Sequence, residues 1–320
     1  MIPRADMLRA AEIIAGADEI VIACHIGPDG DALGTSLGLA IAAQDAGKDV
    51  MVSFEGAISR ELVFLQSDLI VTPNKVPAEP KLMISVDTAG PDRLGVLRPH
   101  AEKAETLIVV DHHATNEGFG DIDLIDGGAA ASAQVALPLI LAAGWKVGPE
   151  AATALHTALV TDTGRFQYSY TSPTTMKTAG QLLAAGAKPE EIGRELYETA
   201  PFGYLKVLGQ VLGRAELDPR NKLVWSSLLQ SDLRDAEIES SATDGVIDVL
   251  RLPEESDVCV LLKEQDDGST KVSLRSRGRV DVGTIAQQLG GGGHHNAAGC
   301  EIAKPPKDAI EDIRRLLESS

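Results

Sequence analysis

Eight side chains in four separated stretches have the types and spacing for metal chemistry. They are His25, Asp29 and Asp31 in HIGPDGDALG, Asp87 in SVDTAG, Asp111, His112 and His113 in VVDHH, and Asp162 in VTDTG. An imidazole and two carboxylates crowded into one strand-to-helix turn repel one another and desolvate badly unless a cation sits among them. A mixed imidazole and carboxylate set suits Mn²⁺, Mg²⁺, Fe²⁺ or Zn²⁺ and excludes a thiolate cluster. With about seven such ligands, two ions a few ångström apart fit better than one, and such a pair can clamp the attacking and leaving oxygens of a phosphoryl displacement. Each stretch alone has a plainer reading. Pro28-Asp29-Gly30 is a turn sequence with Asp31 as a helix N-cap, Asp87 could cap a short helix, and Thr161–Gly164 could be a helix end closed by glycine. Their conjunction is what points to a site.

The elements that must position these groups alternate between strand and helix. Residues 19–24, 49–54, 81–86 and 106–110 are apolar, β-rich runs, and each of the first, third and fourth stops at one of the His or Asp groups. Residues 69–72 and 166–170 read as further short strands. Helical spacing covers 5–15, 31–46, 61–66, 129–143, 150–160 and 174–185. This alternation predicts an α/β domain with a mostly parallel sheet, whose strand ends lie along one edge where ligands bind. The pattern changes near Gly186-Ala187-Lys188-Pro189. We expect a metal-binding catalytic domain over 1–188, a helical connector over 189–215, and a smaller α+β substrate-binding domain over 216–320.

In that second half, KVSLRSRGR alternates Lys271, Ser273, Arg275, Arg277 and Arg279 with apolar or small residues. On a strand, Lys271, Ser273 and Arg275 share one face, and Arg forks suit phosphate. A solvated strand face is the plainer reading. The run 290–293, with Gly292 and Gly293, can present successive backbone N–H groups to an anion, and His294 adds a side-chain donor.

Composition narrows the classes. Hydrophobic content of 44% and charged content of 24% describe a globular chain, with only 3% aromatics, so the core must be Ala, Leu, Ile and Val. The net charge of −18 argues against clamping long duplex nucleic acid, which calls for a basic surface. A small phosphorylated substrate stays open, because bound cations dominate a pocket's field. Residues 1–15 carry Arg4, Asp6, Arg9 and Glu12 and read as no secretory leader. The segment 129–144 is too short and too interrupted, by Gln134 and Pro138, to span a membrane. Cys24, Cys259 and Cys300 have neither disulfide nor zinc spacing, which favours a cytoplasmic location; Cys24 is expected in the core.

HIGPDGDALG, SVDTAG, VVDHH and VTDTG, in this order, resemble the four motifs of the DHH phosphoesterase superfamily. GGGGHHNAAG, 290–299, resembles the signature of the DHH-associated C-terminal domain. The resemblance spans the whole chain and is nearest to the nanoRNase and pAp phosphatase group, with single-strand exonucleases of the RecJ type as larger cousins. It implies that His25 and Asp29 hold one metal, that Asp31, His112 and Asp162 hold the other, and that Asp87 bridges them. Asp111 then orients the histidine pair, and His113 contacts the scissile phosphate. Arg275 and His294, with Ser273, Arg277, Gly292 and Gly293, become substrate contacts. Thr35 stands where relatives commonly have serine, and the hydroxyl survives.

The implied cofactors are two divalent ions, Mn²⁺ first, with Mg²⁺, Fe²⁺ or Zn²⁺ as alternatives. The implied reaction is attack by a two-metal-activated hydroxide on short oligoribonucleotides, giving 5′-mononucleotides, or on 3′-phosphoadenosine 5′-phosphate (pAp), giving AMP. The partners expected are short single-stranded RNA, dinucleotides and pAp, with a homodimer admitted, and neither long duplex nucleic acid nor a membrane. Two other readings are carried. One is a signalling phosphodiesterase acting on c-di-AMP or pApA with the same residues. The other is a non-catalytic nucleotide-binding module, against which stands a full set of Asp and His at the matched positions.

Overall fold

The computed structural model describes residues 2–318, apart from the side chain of His294, so the contact expected of that imidazole lies outside the described residues. The chain divides into two compact units, one ending at Thr199 and the other beginning at Ala200. The segment 189–215 is thereby shared between them.

In the first unit, β1 (Glu19–Cys24), β2 (Asp49–Ser53), β3 (Leu82–Val86), β4 (Thr106–Asp111) and β5 (Ile122–Ile125) form one sheet in the order β2-β1-β3-β4-β5. Every neighbouring pair is parallel. The helices are α1 (Arg4–Gly16), α2 (Gly30–Asp45), α3 (Arg98–Glu102), α4 (Ala133–Ala142), α5 (Pro149–Asp162), α6 (Pro173–Ala184) and α7 (Pro189–Gly193). The strands are unbroken apolar runs because both faces of the sheet are covered. Ile22, Cys24, Ile84 and Ile108 pack on one side against residues of α1, α2, α4 and α5. Val21, Ala23, Met83 and Leu107 pack on the other, against Leu94, Leu97 and Ala101.

The α/β architecture expected from the sequence is the one found, with local differences. Residues 166–170 are a tight turn, since Gly164, Arg165 and Phe166 all have left-handed φ. Ile70 makes only an isolated bridge to Val52. β5 was not expected: its four residues interrupt the apolar run with Asp123, whose carboxylate accepts from the N–H groups of Phe119 and Gly120.

The second unit carries α8 (Phe202–Gly213), β6 (Glu216–Asp218), β7 (Leu223–Leu228), α9 (Gln230–Ala236), α10 (Val246–Leu250), β8 (Val258–Glu264), β9 (Thr270–Ser276), α11 (Val282–Gln288), β10 (Gly292–His294), β11 (Ala297–Ile302) and α12 (Pro306–Glu318). Its sheet runs β10-β11-β9-β8-β7-β6, with β7 and β8 parallel and the remaining pairs antiparallel. Val272 and Leu274 of β9 face the core built with α11 and α12, so Lys271, Ser273 and Arg275 share the opposite face. The glycine run forms the edge strand β10 and the turn before it, not an open loop of N–H groups. At Gly293, φ is +142 and a Cβ would lie 2.5 Å from the Ala297 carbonyl oxygen, so only glycine lets β10 close on β11.

Candidate metal centre

Register brings the chemistry to one edge of the parallel sheet. Cys24 pairs with Val86 and Val86 with Val110. The residues that follow, His25, Asp87 and Asp111-His112-His113, therefore leave adjacent strands at one level, about 4.8 Å apart. Asp87 turns out of β3 in the left-handed region, φ +52, which Asp tolerates better than most residues, while its N–H still donates to Val110 O at 2.9 Å. α2 and α5 add the rest. Asp29, not Asp31, caps α2, accepting from the N–H groups of Asp31 (3.1 Å) and Ala32 (3.0 Å). Asp31 then sits on the first turn and Asp162 at the last residue of α5.

All six expected metal-binding residues meet here. Within 4.8 Å of one another lie donor atoms of His25, Asp29 and Asp87, of Asp31, His112 and Asp162, and of Asp87, His112 and His113. His25 Nδ1–H donates to Ile26 O at 3.0 Å, and its Nε2 faces Asp29 Oδ1 and Asp87 Oδ2, each at 3.7 Å. His112 Nδ1–H donates to Ala129 O at 3.2 Å, and its Nε2 faces Asp162 Oδ2 (3.3 Å), Asp87 Oδ1 (3.5 Å) and Asp31 Oδ2 (3.6 Å). Fixing one ring nitrogen on a carbonyl so that the other faces acidic oxygens is how proteins prepare a histidine ligand. Two donors each about 2.1 Å from a common ion stand about 3.0–3.5 Å apart at ordinary coordination angles. The spacings here, 3.3–3.7 Å, reach from that range to just above it and are longer than direct hydrogen bonds.

The charges agree. Burial and the neighbouring carboxylates Asp87 and Asp162 push the Asp31 carboxyl well above its ordinary range, and burial with Asp87 and Asp29 does the same to Asp162. Asp87 is raised by burial and by Asp29, with the histidines partly offsetting. Among the described residues no Lys or Arg pairs with Asp31, Asp87 or Asp162. Hard oxygen donors and imidazoles that cannot all be ionised together unless positive charge joins them fit divalent cations.

Asp111 has a different task. Completely buried, it meets His113 Nδ1 through Oδ1 at 2.8 Å and accepts from Asn116 Nδ2 through Oδ2 at 2.6 Å. It orients His113 only, since His112 is turned to the Ala129 carbonyl. Burial alone would raise the Asp111 carboxyl, but His113 and Asn116 hold it below its usual value. Burial alone would depress His113, but the Asp111 bond with the charges of Asp87 and Asp162 lifts it to about 9.

Three contributors were not read from the sequence as parts of the site. Ser132 Oγ–H donates to Asp87 Oδ1 at 2.9 Å, and Ser132 N–H to Asp31 Oδ2 at 2.6 Å. Ala133 N–H donates to Asp31 Oδ1 at 3.3 Å, so the opening turn of α4 cradles that carboxylate with its unpaired amides. Asn116 ties Asp111 to the Thr88 carbonyl, at 3.0 Å. A serine in an alanine-rich run carries no chemical signal, whereas Asn116, five residues past Asp111, could have been suspected. Thr35, noted for its hydroxyl, uses it on Asp31 Oδ1 at 2.7 Å.

Of the residues expected to meet substrate in the second unit, Arg275 and Ser273 project from β9 half-buried. Arg277 is already engaged, donating to the carbonyls of Leu252 (3.0 Å) and Arg251 (3.3 Å). Gly292 and Gly293 are spent in the β10–β11 ladder.

Residues 19–161 match the DHH family, N-terminal domain, and residues 222–320 match the DHHA1 domain. The chain is 35% identical over 318 residues to the bifunctional oligoribonuclease and PAP phosphatase NrnA of Thermus thermophilus, covering 98% of this chain and 93% of that one. It is 29% identical over 289 residues to the NrnA of Bacillus subtilis, covering 89% and 90%. The crystal structure of an exopolyphosphatase-related protein from Bacteroides fragilis superposes with a TM-score of 0.93 at 25% identity, covering 100% of this chain and 97% of that one. Likeness at this level along nearly the full length, joined to both domain matches, makes the chain a member of the DHH family that carries a DHHA1 domain.

Proposed function

We propose that the chain is a metal-dependent phosphoesterase that hydrolyses short oligoribonucleotides to 5′-mononucleotides and pAp to AMP. The observation that carries this reading is Asp87, whose Oδ2 faces His25 and whose Oδ1 faces His112. One carboxylate thus addresses two donor sets, as a bridge between two ions must. The activities named for the Thermus and Bacillus relatives agree with it.

In this reading His25 and Asp29 would hold one divalent ion, Asp31, His112 and Asp162 the other, and Asp87 would serve both, with Mn²⁺ the metal proposed first. When bound, the ions would supply Lewis acidity at the phosphoryl oxygens and a lowered pKa for water. The chain's own residues do the remaining work. Asp111, fixed by Asn116, orients His113 and, with the charges of Asp87 and Asp162, lifts its pKa to about 9 in the metal-free chain. With its Nδ1–H given to Asp111, His113 has Nε2–H as the group proposed to stabilise charge growing on phosphate oxygens in the transition state. Ser132 and the α4 amides hold Asp87 and Asp31 in their rotamers before any ligand arrives. On the second unit, Arg275 and Ser273 are the proposed contacts for the substrate's other phosphate or base.

The test is a substrate panel with Mn²⁺: pAp, pApA, oligoribonucleotides of increasing length, and c-di-AMP, with Asp87→Ala alongside. Turnover concentrated on pAp and the shortest RNAs, abolished in Asp87→Ala, is expected. Dominant turnover of c-di-AMP would move the assignment to the signalling class. Full activity of Asp87→Ala would refute the bridging role.

A further inference from the structure

Immediately after Asp162 the backbone does something that metal binding does not require. Gly164, Arg165 and Phe166 take φ of +54, +61 and +63 in succession, a strained run for residues that carry a Cβ. It is pinned by Arg165 N–H to Val160 O (2.9 Å) and by Phe166 N–H to Thr163 Oγ1 (3.0 Å), with the Phe166 ring against His156. The effect is to fold the chain back so that the Tyr168 ring lies over Gly164. A Cβ there would sit 2.6 Å from Tyr168 Cε1, so glycine alone leaves room for the ring.

Tyr170 follows. Its ring centre is 5.7 Å from that of Tyr168, tilted by 58°. Its hydroxyl donates to the carbonyl of Asp162 at 2.7 Å, which ties the ring to a residue whose carboxylate is 3.3 Å from His112 Nε2. Yet the side chain is not consumed by the core: Tyr170 is 46% exposed. In a chain with only four tyrosines, two are paired at this spot, and a third, Tyr197, lies 4.0 Å beneath the Arg165 guanidinium of the same turn. Backbone strain, a ring-clearing glycine and an anchored but exposed aromatic face converge on one place beside the acidic cluster. A stacking surface for a flat, apolar ring accounts for all three.

We propose that the open face of Tyr170, backed by Tyr168, is a stacking platform for the nucleobase of a nucleotide whose phosphate lies at the His–Asp cluster. This rests on the nucleotide reading above and adds a contact for the base beside the cluster, apart from the contacts proposed for Arg275 and Ser273. Stacking uses the π face common to all bases, so the platform favours a nucleoside phosphate over a sugar phosphate without choosing among bases.

The experiment is calorimetric binding of AMP and of ribose 5-phosphate, in the presence of Mn²⁺, to the full chain and to Tyr170→Phe, Tyr170→Leu and Tyr170→Trp. AMP should bind the unaltered chain tighter than ribose 5-phosphate by about 5- to 150-fold, the range of one stacked base. Tyr170→Leu should erase that gap. Tyr170→Phe, which removes only the bond to Asp162, should keep it, and Tyr170→Trp should keep or widen it. Equal binding of both probes to the unaltered chain overturns the proposal. So does an equal weakening of both by Tyr170→Leu. A lost gap in Tyr170→Trp overturns it too, even if the leucine variant fails to fold. Hydrolysis of pApA, followed in parallel, separates the two readings. A gap erased by Tyr170→Leu in a chain that hydrolyses none of the panel keeps the platform and removes the hydrolase. Hydrolysis without a gap removes the platform alone.

Discussion

Gly34→Ala probes whether the metal site depends on two helices packing backbone to backbone. α2 and α5 run antiparallel, with Gly30 against Thr161, Gly34 against Ala154 and Ala158, and Gly38 against Leu155. A Cβ at Gly34 would lie 2.5 Å from the Ala154 carbonyl oxygen, 3.0 Å from the Ala158 nitrogen and 3.1 Å from the Ala158 Cβ. These are backbone and alanine atoms that cannot swing aside. Ordinary contact begins near 3.4 Å, so the helices must part by about 1 Å. Overpacking of this kind costs about 1–3 kcal/mol, against which alanine's better helix propensity returns up to about 1 kcal/mol. In a unit of this size, each 1 kcal/mol lost lowers the melting temperature by about 2–4 °C. The larger effect falls on the ligands. Asp31 rides the first turn of α2 and Asp162 the last of α5, so a shift of about 1 Å moves Asp162 relative to His112 Nε2, now 3.3 Å away. Misplacement on that scale costs about 100-fold in turnover. Mn²⁺ titration calorimetry, melting curves and pAp hydrolysis read all three. Gly180→Ala is the control, because Gly180 lies within α6 and its Cβ would meet open space; it should be neutral or mildly stabilising. A Gly34→Ala protein with unaltered Mn²⁺ affinity, melting temperature and turnover would refute the argument.

Further outcomes follow from the same contacts. Ser132→Ala, which frees Asp87 Oδ1, should weaken Mn²⁺ binding about 10- to 100-fold by calorimetry while the metal-free fold melts within a few degrees of the original. Mn²⁺ at 100 times its Kd should stabilise the protein by about 2.7 kcal/mol, and a chelator should remove that gain. Because burial and neighbouring carboxylates raise the Asp162 pKa, ionising it opposes folding as pH rises past the usual carboxylate range. The metal-free Asp162→Asn variant should therefore melt higher than the metal-free original at pH 7, yet gain less from Mn²⁺; a lower melting point without metal would count against the repulsion. His113 titrates with the opposite sign. Its pKa is lifted to about 9, so its contribution is whole below the free-imidazole value of about 6.5 and fades as pH rises through about 9. In chelator, the original should lose up to about 3 kcal/mol across that window relative to His113→Gln, and parallel curves for the two would remove the Asp111–His113 pairing from the account.

The strand-borne half of the site was legible because strand ends in a parallel sheet are set by register, and His or Asp at the end of an apolar run is visible in the sequence. Cys24, His25, Val86, Asp87 and Asp111 needed no more than that. The helix start falls one residue earlier than expected and its cap two, because Asp29 and Asp31 are both good caps, and only the bonds from Asp31 N–H and Ala32 N–H decide between them. Residues 166–170 read as a strand because Phe and Tyr favour strands, but the positive φ of Arg165 and Phe166 is imposed by hydrogen bonds to Val160 and Thr163. The glycines at 290–293 are permissive residues. Whether they curl into an anion nest or lie flat as β10 was set by the partner strand β11, which lies beyond any local window.

The two origins of the ligands have unequal consequences. His25, Asp87 and His112 are fixed by sheet register, which cannot slip without drawing these polar strand ends into the apolar core or pushing buried side chains of β1, β3 and β4 out of it. Asp31 and Asp162 are fixed by a seam of glycine and alanine between two helices, and helix packing relaxes in fractions of an ångström. The donor set of Asp31, His112 and Asp162 therefore draws two of its three members from the softer support, whereas in the set of His25, Asp29 and Asp87 only Asp29, itself the cap of α2, belongs to a helix. Perturbing the α2–α5 seam should accordingly empty one ion position before the other. Titration of Gly34→Ala with Mn²⁺ should show one tight and one weakened equivalent. Uniform weakening of both equivalents would mean that the sheet, not the seam, yields first.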